Sequence, residues 1–270
     1  MTSEKGKSLD EVFKLTQEVK EYAKSYSSWD DAGADLVGII PAERVDEIPS
    51  YRQDWMKTST MKATDQMEDA KSIIVLGYHA SDDIYEALLR KGDRLDIYGY
   101  LPIMYSRARI LRFLQSKGLE AKMANERLPK KQMARLAGFG NYGKNSLVIT
   151  PKYGPWIRLA AIVTNAEFAY DEPFDRDLCG DCDRCVKACP TGALTPYRVD
   201  HTRCLVNPSS DDWVGLISGE LKYIEKFGKT PDVDIIFGKH SPRFTDNSVL
   251  MCTTCQRACP YGRKERGLEK

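Results

Sequence analysis

The chain has 270 residues, with 40 Lys or Arg against 39 Asp or Glu and a formal net charge of +1. So even a balance gives no global field for nucleic acid or anionic lipid, and no apolar run approaches the ~20 residues of a membrane-spanning helix. Met1 to Leu9 is polar and charged, without the apolar core of an export signal, so a cytoplasmic location and no membrane partner are expected.

Ser8-Leu9-Asp10-Glu11 has capping-box spacing and predicts a helix to about Ser25, with Leu9, Val12, Phe13, Val19, Tyr22, Ala23 and Tyr26 on its apolar face. Ala34 to Ile40 reads as a short buried strand stopped by Pro41, and Ser72 to Tyr78 is a β-branched apolar run. A helix is expected from about Pro102 to Lys117, with Gly118 as its left-handed cap. Shorter strands are expected at Glu120–Ala124, Leu147–Thr150 and Ile157–Thr164, and a helix at Pro129–Ala137. Helices alternating with strands predict an α/β layer domain over residues 1–165. The acidic, Pro173-containing stretch Ala166–Asp177 reads as the join to a second domain, residues 166–270.

That second domain holds all eight cysteines. Cys179, Cys182, Cys185 and Cys189-Pro190 have the C-x2-C-x2-C-x3-C-P spacing of a 4Fe-4S site, whose fourth cysteine serves the other cluster of a two-cluster protein. Cys252, Cys255 and Cys259-Pro260 repeat its last three positions. Val249 stands where the first cysteine would fall, leaving Cys204 to replace it. Crossed ligation then gives one cluster Cys179, Cys182, Cys185 and Cys259, and the other Cys189, Cys204, Cys252 and Cys255. A disulfide framework needs an oxidising compartment, and zinc sites do not call for a three-cysteine run closed by Cys-Pro. Two 4Fe-4S clusters are therefore expected, in a cytoplasm with little oxygen. The segment Asp211–Arg243, with Trp213, is expected to pack over the second cluster. His79, His201 and His240 have no partner at metal-site spacing.

Gly138-Phe-Gly-Asn-Tyr-Gly143 matches G-x-G-x-x-G, and Lys144 extends it toward a phosphate-binding loop. Both devices need a strand before the glycines and a helix after them. Here a helix is predicted before and a strand after, so the glycines are assigned to tight turns or close backbone approach.

The same region carries a resemblance. Glu126-Arg-Leu-Pro129, Ala137 to Asn145, Thr150-Pro-Lys-Tyr-Gly154, Arg158 and Asp171-Glu-Pro173 together resemble the cobalamin-dependent superfamily of epoxyqueuosine reductases and reductive dehalogenases. Phe113-Leu-Gln-Ser-Lys-Gly118 is similar to a dehalogenase helix, and the likeness runs from about Ala34 to Gly262. It implies a nitroreductase-like α+β sandwich joined to a ferredoxin-like double-cluster domain, the two clasping a corrinoid (cobalamin) that the nearer cluster reduces. An external low-potential donor of ferredoxin or flavodoxin type would feed the clusters, and a small organic substrate would face the corrin. Glu126 takes the place of the reductases' aspartate proton donor, Tyr100 that of the dehalogenases' tyrosine, and Lys144 would steady an anion. Gly138, Gly140, Gly143, Asn145, Tyr153 and Arg158 are the expected cofactor-binding residues. Glu126 as a surface carboxylate and Tyr100 as a core aromatic stay open as plainer readings.

The branch is read from differences. The reductases that act on tRNA carry a helical-repeat extension after the clusters, whereas the sequence runs eleven residues beyond Cys259. Respiratory dehalogenases are longer and carry a twin-arginine leader. Residues 121–160 hold eight Lys or Arg against one Glu, a patch for RNA phosphates, a corrinoid tail or solvent. The leading expectation is a corrinoid-dependent reductase of an organic substrate. A corrinoid-free ferredoxin-like electron carrier and an epoxyqueuosine reductase acting on tRNA are the alternatives.

Overall fold

The computed structural model describes residues 8–25, 33–53, 58–91, 94–206 and 238–268. Helix α1 (Leu9–Lys24) begins at Ser8, whose hydroxyl accepts the Glu11 N–H at 3.2 Å while the Glu11 carboxylate accepts the Ser8 N–H at 2.8 Å. Both halves of the predicted capping box are therefore formed. Strand β1 (Leu36–Pro41) runs into α2 (Ala42–Asp46). A short antiparallel pair, β2 (Arg52–Gln53) and β3 (Thr58–Ser59), and one turn, α3 (Ala63–Gln66), lead to β4 (Ser72–His79). A hairpin of β5 (Ala87–Lys91) and β6 (Arg94–Ile97) precedes α4 (Leu101–Ser116), β7 (Ala121–Met123) and α5 (Lys130–Leu136). The small pair β8 (Asn141–Tyr142) and β9 (Val148–Ile149) then leads to β10 (Ile157–Thr164).

The main sheet has the order β1-β4-β10-β7 and is antiparallel throughout. Alternate residues of its two central strands serve two cores. On one face Ile73, Val75, Leu159, Ala161 and Val163 pack against α2, α3 and α5 through Val45, Ala63 and Met133. On the other, Ile74, Leu76, Ala160 and Ile162 meet Val19 and Ala23 of α1 and Ile110 and Leu114 of α4. Each fully buried Ile or Leu contributes about 1.5–3 kcal/mol, so the sandwich needs both helical layers. Arg109 of α4 donates to the carbonyls of Tyr22 (3.0 Å) and Ser25 (2.7 Å), fixing the end of α1. Gly118 caps α4 at φ 75°, as its position predicts.

The cysteine-bearing part adds α6 (Arg184–Ala188), the hairpin β11 (Leu194–Thr195) and β12 (Arg198–Val199), strands β13 (Arg243–Thr245) and β14 (Ser248–Leu250), and α7 (Thr254–Arg257). Strand β14 pairs with β5 (Val249 opposite Leu88), making a second sheet of order β13-β14-β5-β6. Strand pairing thus crosses the boundary expected at 165/166. The join is also packed: Ala166 and Phe168 belong to the α1/α4 core, and Asp171 both accepts the Ile39 N–H (2.7 Å) and pairs with Lys20 (2.6 Å). Trp213 and most of its segment, the expected cover of the second cluster, lie outside the described residues.

The candidate iron–sulfur centres and the residues around them

All eight cysteines are free thiols. Cys179, Cys182, Cys185 and Cys259 line one small cavity with Lys144, Asn145, Ile149, Leu178, Pro260 and Tyr261. The Asp177 carboxylate folds the loop into this cavity by accepting the N–H groups of Cys179 (2.8 Å) and Gly180 (3.2 Å). Burial first, then Cys179 and its neighbouring thiols, pushes the Cys259 thiol up to about 11. Cys204 is likewise pushed up to about 11 by burial, with Cys252 and Cys189 adding to the shift. Cys255 rises for the same reasons, with Cys252, Cys204, Cys185 and Cys189 as its thiol neighbours. The first four thiols share one cavity, and Cys189, Cys204, Cys252 and Cys255, drawn from three chain segments, lie near one another and near Cys185.

A single tetrahedral ion with bonds of about 2.3 Å draws its sulfur ligands to within about 4 Å of one another. Four thiols around one cavity, three from a C-x2-C-x2-C run and one from a remote Cys-Pro, fit a four-iron cube, whose irons occupy the space between them. Loading iron onto thiols with raised pKa values displaces their protons.

The structure moves Lys144 to this centre. Its backbone N–H lies 3.4 Å from Cys179 Sγ, and its ammonium donates to the Gly180 carbonyl at 2.6 Å. The other expected catalytic groups stand elsewhere. Glu126 is exposed and paired with Lys130, with Arg107 at 3.9 Å. Tyr100 lies at the amino end of α4, 37% exposed, with the Arg158 guanidinium 5.1 Å from its ring centre.

The six residues expected to hold a corrinoid are mostly committed inside the fold. A side chain at Gly140 would meet the Ile149 carbonyl at 2.0 Å, and one at Gly143 the Ile149 side chain at 2.5 Å, so both glycines serve packing on β9. Gly138 caps α5 at φ 78°. Tyr153 is buried against the His79 ring, Asn145 faces the thiol cavity, and Arg158 is paired with buried Glu86. As placed, the six residues are engaged mainly with other parts of the chain.

The basic run 121–160 is also dispersed. Lys122, Lys130, Arg135 and Arg158 have carboxylate partners, and Arg127, Lys131 and Lys144 donate to carbonyls. Sequence reasoning did not single out Asp83, which receives Arg257 and, at 2.5 Å, Arg266. Arg266 also stacks 4.0 Å from the Trp156 ring centre. Those contacts bind the chain's last described turn to the loop after β4; no spacing in the sequence announces them.

Comparison with known proteins bears on this assembly. Residues 178–262 match a 4Fe-4S double cluster binding domain. Epoxyqueuosine reductase of Bacillus subtilis (strain 168) is 26% identical over 280 residues, covering 93% of this chain and 64% of that protein. The Listeria monocytogenes enzyme is 37% identical over 132 residues, 48% of this chain and 29% of that protein. The solved Bacillus subtilis epoxyqueuosine reductase, with its catalytic loop swung out of the active site, matches 94% of this chain and 67% of its own with a TM-score of 0.63 at 23% identity. Over most of its length the chain is similar to epoxyqueuosine reductases and has their fold. A reductive dehalogenase, reported with a mechanism for B12-dependent dehalogenation, matches 75% of this chain and 30% of its own at a TM-score of 0.50 and 17% identity. The chain spans about two thirds of the length of the Bacillus reductases it matches. No helix among its described residues is long and apolar enough to cross a membrane.

Proposed function

We propose that the chain is an iron–sulfur reductase of the epoxyqueuosine reductase type, acting on an epoxide-bearing nucleoside of tRNA. One observation carries this reading: the match to those reductases is continuous through the α+β layers and the cysteine region, over 93% of the chain. A related structure holds an epoxyqueuosine-modified tRNA stem loop, which favours a nucleic-acid substrate over the small organic one expected from sequence.

In this reading Cys179, Cys182, Cys185 and Cys259 hold one cluster and Cys189, Cys204, Cys252 and Cys255 the other. When bound, such clusters take up and release electrons one at a time. Reductive removal of an epoxide oxygen as water consumes two electrons and two protons, so two single-electron deliveries from a ferredoxin- or flavodoxin-type donor are required. Glu126 handles a proton at the surface, held by Lys130 and Arg107. Burial pulls Lys130 below its ordinary value, while the Glu126 carboxylate opposes that shift. Tyr100 is the second candidate donor. Lys144 is assigned to the first thiol group rather than to the substrate.

The test is turnover of an epoxyqueuosine-bearing tRNA stem loop by anaerobically reconstituted protein with a low-potential donor. Loss of one oxygen atom from the nucleoside by mass is expected, slowed about 100-fold or more in Glu126→Gln. No oxygen loss from a fully iron-loaded chain rejects the reading. Cobalt co-eluting with the protein after incubation with hydroxocobalamin restores the corrinoid expectation.

A further inference from the structure

Asn145 carries an unexplained buried donor. The residue is 5% exposed, and its Oδ1 accepts the Leu147 N–H at 3.2 Å. That bond turns the amide so that Nδ2 points away from Leu147. Nδ2 is buried and has no hydrogen-bond partner, and Asn145 lines the cavity of Cys179, Cys182, Cys185 and Cys259. Gly143 makes room for this arrangement, because a side chain there would strike Asn145 Oδ1 at 2.8 Å. The adjacent residue already donates into the same centre through the Lys144 N–H, 3.4 Å from Cys179 Sγ. A buried amide N–H without a partner is rare, and the group this cavity is built to contain is rich in sulfur.

We propose that the Asn145 amide is a hydrogen-bond donor to the sulfur of the cluster held by Cys179, Cys182, Cys185 and Cys259, and that it sets that cluster's reduction potential. The proposal rests on the ligand grouping given above. On one-electron reduction the cluster gains one negative charge, shared by its sulfurs, and releases nothing. The N–H dipole stabilises the more negative state, so it raises the potential. The donor comes from the α+β part of the chain. One end of the electron path is thereby tuned by a loop outside the cysteine motifs.

The primary test needs no variant. Fully loaded protein carrying asparagine labelled with 15N at the side-chain amide is reduced by one electron, and pulsed electron paramagnetic resonance is recorded. A 15N hyperfine coupling to one reduced cluster is expected; its absence overturns the proposal. Asn145→Leu, close in shape and lacking both polar atoms, should lower one of the two midpoint potentials and leave the other in place. A tenfold shift in that cluster's reduction equilibrium corresponds to about 59 mV. Retention of eight irons with both potentials unchanged overturns the proposal alone. Wild-type protein that reconstitutes to fewer than eight irons overturns the ligand grouping and the proposal with it.

Discussion

Glu86 and Arg158 show how unequal two partners of one ion pair are. Glu86 is 5% exposed and its pKa is raised, chiefly by burial, with Arg158 pulling the other way. If Arg158 is lost, the carboxyl can neutralise itself by taking up a proton. If Glu86 is lost, the guanidinium has no such escape, since it stays charged at any working pH. Glu86→Leu should therefore cost about 3 kcal/mol or more, and Arg158→Met distinctly less, in anaerobic denaturant titrations near neutral pH. Equal losses would contradict this picture of the pair. The sequence pointed to Arg158, through the family resemblance, as a cofactor contact. Its buried acidic partner was illegible, because Glu86 lies 72 residues away in a segment with no periodic pattern.

Among elements, legibility followed length and pattern. Helix α4 and strands β4 and β10 were readable because each is a long apolar or capped run, and β10 was located to the residue. The β5–β6 hairpin was missed. Ala87-Leu-Leu-Arg-Lys91 lacks alternation, and its partner β14 is far away in sequence, so no local signal marks it as a strand. The cysteine spacing was the clearest part of the site, since covalent ligation fixes spacing; the direction of one amide nitrogen is fixed only by tertiary contacts. The meeting of Gly154 and Gly262 is likewise tertiary. Their φ values are 56° and 75°, and a side chain at Gly262 would meet the Tyr153 carbonyl at 2.2 Å. Gly267 has φ 62° but open space around it. Gly267→Ala should cost about 1–2 kcal/mol, the penalty of the left-handed backbone alone. Gly262→Ala should cost more and should reduce iron loading, because Cys259 lies three residues before the collision. Similar melting temperatures for the two variants would refute the interlock.

At the scale of the whole molecule, His79 links acidity to stability. Burial, the largest influence, pulls its pKa below the ordinary value; Asp35 and Glu265 oppose this, while Arg266 and Lys152 assist. Between that lowered value and about 6.5 the unfolded chain binds more protons at this ring than the folded one. The stabilisation is thus complete above the unfolded value and is lost as pH falls through the folded one. His79→Phe keeps an aromatic ring against Tyr153 and should flatten the decline in melting temperature between about pH 7.5 and pH 5. An unchanged decline would place the acid sensitivity elsewhere. The gathering of Cys259 beside Cys179, Cys182 and Cys185 has a consequence for the order of events in a cell. A nascent chain that has emitted its first four cysteines still lacks a wall of the first chamber, and the second awaits Cys252 and Cys255. Neither chamber can close before the second cysteine run has left the ribosome, so metal delivery must wait for a segment made some seventy residues after the first run.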